Sequence, residues 1–114
     1  MECIYLIKNK NNGKIYVGRT YKFEYRKKLH INNLRANRHP NILLQNDFNE
    51  FGENAFEFEI AEKSNTGFGR TYIEREWMIK LKTYNQEFGY NYNDPCFKHR
   101  GNKPTKLYKL LMEC

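Results

Sequence analysis

Two short runs of β-branched and aromatic residues, Cys3 to Lys8 and Lys14 to Arg19, stand on either side of Asn-Lys-Asn-Asn-Gly. A polar, turn-prone segment between two such runs folds them back on each other, so the chain opens with a β-hairpin. Side chains of a strand alternate between faces, and register therefore decides what each face carries. Pairing Tyr5 with Tyr16 gathers Ile4, Leu6, Ile15 and Val17 on one wholly apolar face, which is the expected core side. The opposite face then carries Cys3, Tyr5, Ile7, Lys14, Tyr16 and Gly18. A slip of one residue would mix tyrosine with aliphatics on both faces.

A hairpin needs cover, and the next segments supply it. Tyr21 to Asn37 contains neither Gly nor Pro and sets Phe23, Leu29 and Leu34 among basic residues, the pattern of an amphipathic helix. On it, Arg26 and His30 are four residues apart and share a stripe. Pro40 suits the first turn of a second helix through Ile42, Leu43, Leu44, Phe48 and Phe51, which Gly52 ends. Phe56, Phe58 and Ile60 alternate with Glu57 and Glu59 as in a half-buried strand, and Ser64 to Gly69 reads as a loop. A third helix runs from about Arg70 to Lys82, where Ile73, Trp77 and Leu81 recur every four residues and make Trp77 core filler. Glu87 to Pro95 is irregular and aromatic-rich, and Pro104 to Met112 suits a short terminal helix. The fold class is α/β of the α+β kind, in the order β-β-α-α-β-α plus a tail. A chain of 114 residues has room for one such domain.

Charge narrows the partners. The formal net charge is +7, and it is uneven: residues 1–40 hold ten Lys or Arg and two acids, whereas residues 41–93 hold five and nine. A basic third beside an acidic middle suits a polyanion, nucleic acid first, while leaving carboxylates for other work. Lys14, Arg19, Lys22, Lys27, Lys28, Arg35 and Arg38 are the expected phosphate contacts. The apolar run Cys3 to Ile7 is too short for a membrane span or a signal-peptide core, so a soluble cytoplasmic protein is expected. Three widely spaced cysteines, Cys3, Cys96 and Cys114, form no disulfide framework and fit a reducing compartment. Cys96 and His99, with Cys114 or His39 as a third ligand, make a poor zinc signal because no second close pair accompanies them.

The candidate chemistry lies with the hairpin tyrosines, the Arg26 and His30 stripe, and an acid on the third helix. Phosphodiester cleavage needs a proton acceptor for water, a cation for the charge on the pentacoordinate phosphate, and help for the leaving oxygen. A phenol with an ordinary pKa near 10 serves as a base at neutral pH only when a neighbouring cation lowers that value.

Taken in order, Cys3-Ile4-Tyr5, Tyr16-Val17-Gly18, Arg26 with His30, Phe51-Gly52-Glu53 with Phe56, Glu74 three residues before Trp77, and Gly89-Tyr90-Asn91 resemble the motifs of the GIY-YIG nuclease superfamily. The likeness covers residues 3–93 and is strongest to the catalytic domain of phage intron-type homing endonucleases. It implies a three-stranded antiparallel sheet flanked by helices and a catalytic domain over residues 1–93; beyond that the resemblance ends, and residues 94–114, with Lys98, Arg100, Lys103, Lys106 and Lys109, read as a basic extension of the phosphate-binding surface or a linker. The resemblance also implies a DNA endonuclease dependent on Mg2+ or Mn2+. By the same resemblance Tyr5 and Tyr16 line the site and one of them assists the base, while Gly18 permits close backbone approach. Arg26 stabilises phosphate charge, His30 positions or deprotonates water, Glu74 binds the metal, and Asn91 supports the site. Glu76 is a rival acid, and alignment on Trp77 selects Glu74. Cys3 and Val17 depart from the family pattern. The alternative function is a nucleic-acid-binding module whose family site has degenerated, although every charged site residue is present.

Overall fold

The computed structural model describes residues 2–64 and 72–91. Three strands, β1 (Glu2–Asn9), β2 (Ile15–Thr20) and β3 (Phe56–Ser64), form one sheet in the order β2-β1-β3, with β1 antiparallel to both neighbours. The helices are α1 (Phe23–Arg35), α2 (Ile42–Phe51) and α3 (Tyr72–Leu81), with a 3-10 turn at Glu53–Ala55 before β3. The expected element order and fold class are those found. The loop at 65–69, the first residues of the third helix and the tail with its Cys96, His99 and Cys114 lie outside the described residues.

The hairpin register differs from expectation by two residues. Tyr5 lies opposite Gly18, and Tyr16 opposite Ile7. The turn explains it: Asn9 N–H donates to the Lys14 carbonyl and Gly13, at φ +78°, donates back to Asn9, which closes a four-residue loop between Asn9 and Lys14. An even shift preserves the faces. It also places a glycine where a side chain would overlap the Tyr5 ring.

Both faces of the sheet are covered, so the tyrosine side is not the polar face that the hairpin alone suggests. Tyr5 and Ile7 form one cluster with Leu34 of α1, Leu44 of α2 and Tyr90, and Tyr16, Phe23, Phe56 and Phe58 pack around it. Ile4, Leu6 and Val17 form the other with Met78 of α3, joined by Ile73, Trp77 and Leu81. The unbroken apolar run Cys3 to Ile7 is the signature of a central strand buried on both sides. In β3, Phe56 and Phe58 face the first cluster as expected, whereas Ile60, on an edge strand, is exposed. A register shift beside it sets Ile4 opposite Glu62 and Tyr5 opposite Ile60, leaving Ala61 as the extra residue of a bulge. Ala61 packs in the second cluster, and Glu62 accepts a 2.7 Å hydrogen bond from Trp77 Nε1, so the core-filling tryptophan also ties α3 to the sheet.

The helix ends follow local chemistry. Asn37 beyond α1 and Lys82 beyond α3 adopt positive φ, and Gly52 ends α2 at φ +86°. Pro40 stands just outside α2, not in its first turn; Asn41 is the cap, its side chain accepting from Leu44 N–H. No helix among the described residues is long and apolar enough to cross a membrane.

Candidate active site

The stripe Arg26, Leu29, His30 and Asn33 of α1 has helical spacing and lines a cavity of about 440 Å³. Tyr5, Tyr16 and Gly18 of the hairpin border it on one face of the sheet, His39, Pro40 and Asn41 line it ahead of α2, and Arg19 borders it from the other face with Glu74 and Met78 of α3. Asn91 completes it. All seven residues singled out in the sequence, Tyr5, Tyr16, Gly18, Arg26, His30, Glu74 and Asn91, thus border one space. Helix α3 packs on the face opposite the tyrosines, yet Glu74 reaches the same cavity, which is lined from both faces with Gly18 between them. Glu76 is exposed elsewhere on α3 and does not line it.

Within the cavity runs a hydrogen-bond chain whose direction the backbone fixes. Asn41 N–H donates to Nδ1 of His39 at 3.0 Å, so that nitrogen carries a lone pair and the ring proton sits on Nε2. Nε2 of His39 therefore donates to Nδ1 of His30 at 2.8 Å, and Nε2 of His30 donates to the phenolic oxygen of Tyr5 at 2.7 Å. The two imidazoles stack, with centroids 5.0 Å apart, and the Tyr16 ring meets His30 edge-on at 5.6 Å.

Burial keeps the chain neutral. It lowers the His30 pKa to about 3, with His39 and the Arg26 charge acting in the same direction, and it depresses His39 as well. Tyr5 is pushed well above the ordinary phenol range, first by burial and then by Tyr16. Arg26 acts on it downward and the Glu74 carboxylate upward, so the cation and the anion of the cavity both act on this phenol.

The edge strand β2 is held by the segment that follows α3. Tyr90 N–H donates to the Ile15 carbonyl, and the Asn91 amide both accepts from Val17 N–H at 2.8 Å and donates to the Val17 carbonyl at 3.0 Å. A side chain at Gly89 would collide with the Thr83 backbone and the Ile15 carbonyl. Asn91 thus pairs with a strand edge that would otherwise be buried without partners.

The expected phosphate contacts are distributed unevenly. Arg19 lines the cavity and pairs with Glu2. Lys22, Lys28 and Arg38 are exposed and Lys14 is half-buried. Lys27 lies over the Phe58 ring, and Arg35 is engaged by Glu53 through two 2.7 Å hydrogen bonds.

Residues 1–91 match the family model described as the GIY-YIG catalytic domain. The chain belongs to the GIY-YIG family. Intron-associated endonuclease 1 of Enterobacteria phage T4 is 38% identical over 95 residues, which are 82% of this chain and 38% of that protein, so this chain spans well under half of its relative's length. The solved catalytic domain of the homing endonuclease I-TevI superposes with a TM-score of 0.71 at 33% identity, covering 78% of this chain and 97% of that one. A mutant of the same domain gives 0.72 at 36% identity, covering 82% and 96%.

In this GIY-YIG chain Cys3 replaces the first motif glycine without strain: it is a buried strand residue, and no positive φ is required there. Sequence reasoning places His39 only among possible metal ligands and misses it as the partner of His30. The signal for that partnership is its place two residues before the asparagine that caps α2. Among the described residues no group of three or more His, Cys, Asp or Glu stands ready to hold a metal, and Glu74 is the one acid bordering the GIY-YIG cavity.

Proposed function

We propose that this chain carries a DNA endonuclease activity that hydrolyses phosphodiester bonds, with residues 1–93 as the catalytic unit and the basic segment 94–114 extending the phosphate-binding surface. The observation that supports it best is the meeting of two phenols, two guanidiniums and a carboxylate in one cavity.

Tyr5 is the phenol that assists attack by water, with Tyr16 beside it; burial outweighs Arg26 and holds its proton, so the assistance requires the cation that Glu74 would hold. The Tyr5 oxygen accepts from His30, so its own proton is directed elsewhere, and once that proton has left, the oxygen still has a donor facing it. His30 acts on Tyr5, not on water, since both its ring nitrogens are engaged. Arg26 lines the cavity and offers a planar fork of donors suited to the charge that accumulates on the phosphate. Glu74 suits Mg2+ or Mn2+, because small hard cations bind through one or two carboxylates and complete their shell with water and phosphate oxygens. Such a cation supplies Lewis-acid charge at the phosphate and reverses the sign of the influence of Glu74 on Tyr5.

Supercoiled plasmid incubated with the purified protein and Mg2+ or Mn2+ is expected to be nicked or linearised, and Glu74→Ala to leave it intact. Salt-sensitive binding without cleavage at any metal concentration would favour the degenerate binding module instead.

A further inference from the structure

The endonuclease reading gives the phosphate-binding role to Arg26, on α1. Arg19 borders the same cavity from the other face of the sheet, where it pairs in register with Ile4. Its Nε lies 3.1 Å from Oε2 of Glu2, whose side chain is only 1% exposed, whereas that of Arg19 retains 26%. Glu2 and Arg19 are diagonal neighbours on adjacent strands. A carboxylate desolvated to this extent is costly, and such a pair stabilises a fold no better than apolar residues of like volume, so stability alone gives no reason for it. An anchor at Nε fixes the plane of the guanidinium, and a guanidinium so oriented can offer terminal amino groups to phosphate oxygens.

We propose that Arg19 is a second phosphate-binding guanidinium of this cleft, positioned by Glu2, and that it holds the scissile strand from the α3 side while Arg26 holds it from the α1 side. This rests on the endonuclease reading of the same cavity. The backbone phosphates of a nucleic-acid strand are the ligand, and Glu2 acts on them through Arg19.

The test is single-turnover cleavage of supercoiled plasmid in Mg2+, with DNA affinity measured against salt. Arg19→Lys keeps the charge and so is expected to keep the salt dependence of binding, yet to cleave about tenfold more slowly or worse because the fork is lost. Glu2→Gln is expected to slow the wild type on the order of tenfold through misplacement of Arg19, and to add nothing to Arg19→Lys. The double variant Glu2→Gln/Arg19→Gln removes both charges of the pair, and it is expected to fold and to cleave at least as poorly as Arg19→Lys. Wild-type cleavage by Arg19→Lys or by a folded double variant overturns the role of Arg19. An equal effect of Glu2→Gln in both backgrounds overturns positioning by Glu2. A wild-type protein that never cuts removes the endonuclease reading itself, before any substitution is made.

Discussion

Gly18 lies directly under the ring of Tyr5: a Cβ at position 18 would overlap Cζ and the phenolic oxygen. The glycine of the second tripeptide therefore makes room for the tyrosine of the first, and the ring crosses β2 to reach His30. Gly18→Ala is expected to cost about 1–3 kcal/mol of stability through overpacking and to reduce cleavage far more than that loss of folded protein accounts for. Urea titration beside cleavage of the same sample checks it; wild-type activity in a folded Gly18→Ala protein would show that the position of the Tyr5 ring does not matter.

His39 sets the tautomer of His30 without lining up with any sequence motif. His39→Phe removes the donor to His30 Nδ1, so the His30 proton is no longer confined to the Tyr5 side. Single-turnover cleavage is expected to fall on the order of a hundredfold, within the range for a disturbed proton-transfer group. The pH-rate profile separates this from a packing defect. Wild-type cleavage should climb with pH through the neutral range with no step near 6.5, because His30 stays neutral there and the Tyr5 phenol, raised by burial, gives up its proton only far above that range. His39→Phe removes one of the causes that hold the His30 pKa down and should bring a protonation step of His30 into the profile, whereas a packing defect lowers the rate equally at every pH.

The same two histidines make the fold acid-sensitive. Their pKa values are depressed in the folded state, that of His30 to about 3, so the unfolded chain takes up protons first. Their contribution is whole above about pH 6.5 and is lost as pH falls toward the folded values, at about 1.4 kcal/mol per pH unit for each proton taken up. Unfolding free energies between pH 7 and pH 5 should decline accordingly, and a flat profile would mean that the rings are not desolvated.

Asn91→Ala should act through the sheet edge. It leaves the buried N–H and carbonyl of Val17 without partners, at about 1–3 kcal/mol for each unsatisfied group. Thermal melting and amide exchange at Val17 report it; unchanged protection there would mean that β2 is held by other contacts.

Much of this arrangement is readable along the chain because strand and helix periods are local. The stripe of Arg26 and His30, the alternation in β3 and the spacing of Ile73, Trp77 and Leu81 each need only their own neighbours. The register of the hairpin does not follow, since two pairings with the same parity satisfy the same hydrophobic pattern, and the choice between them rests on the turn at Asn9–Lys14 and on the Tyr5 ring over Gly18. The reach of Glu74 across the sheet, the His39 link and the Glu2–Arg19 pair are long-range juxtapositions, and no periodicity encodes them.

The central claim is that Arg26 and Glu74 act on one phosphate, and cleavage by Arg26→Ala, Glu74→Ala and the double variant tests it most directly. Each single variant should melt close to the wild type and lose at least a hundredfold in single-turnover rate, with the double variant losing far less than the product of the two. A folded Arg26→Ala or Glu74→Ala protein that cuts plasmid as fast as the wild type would contradict it.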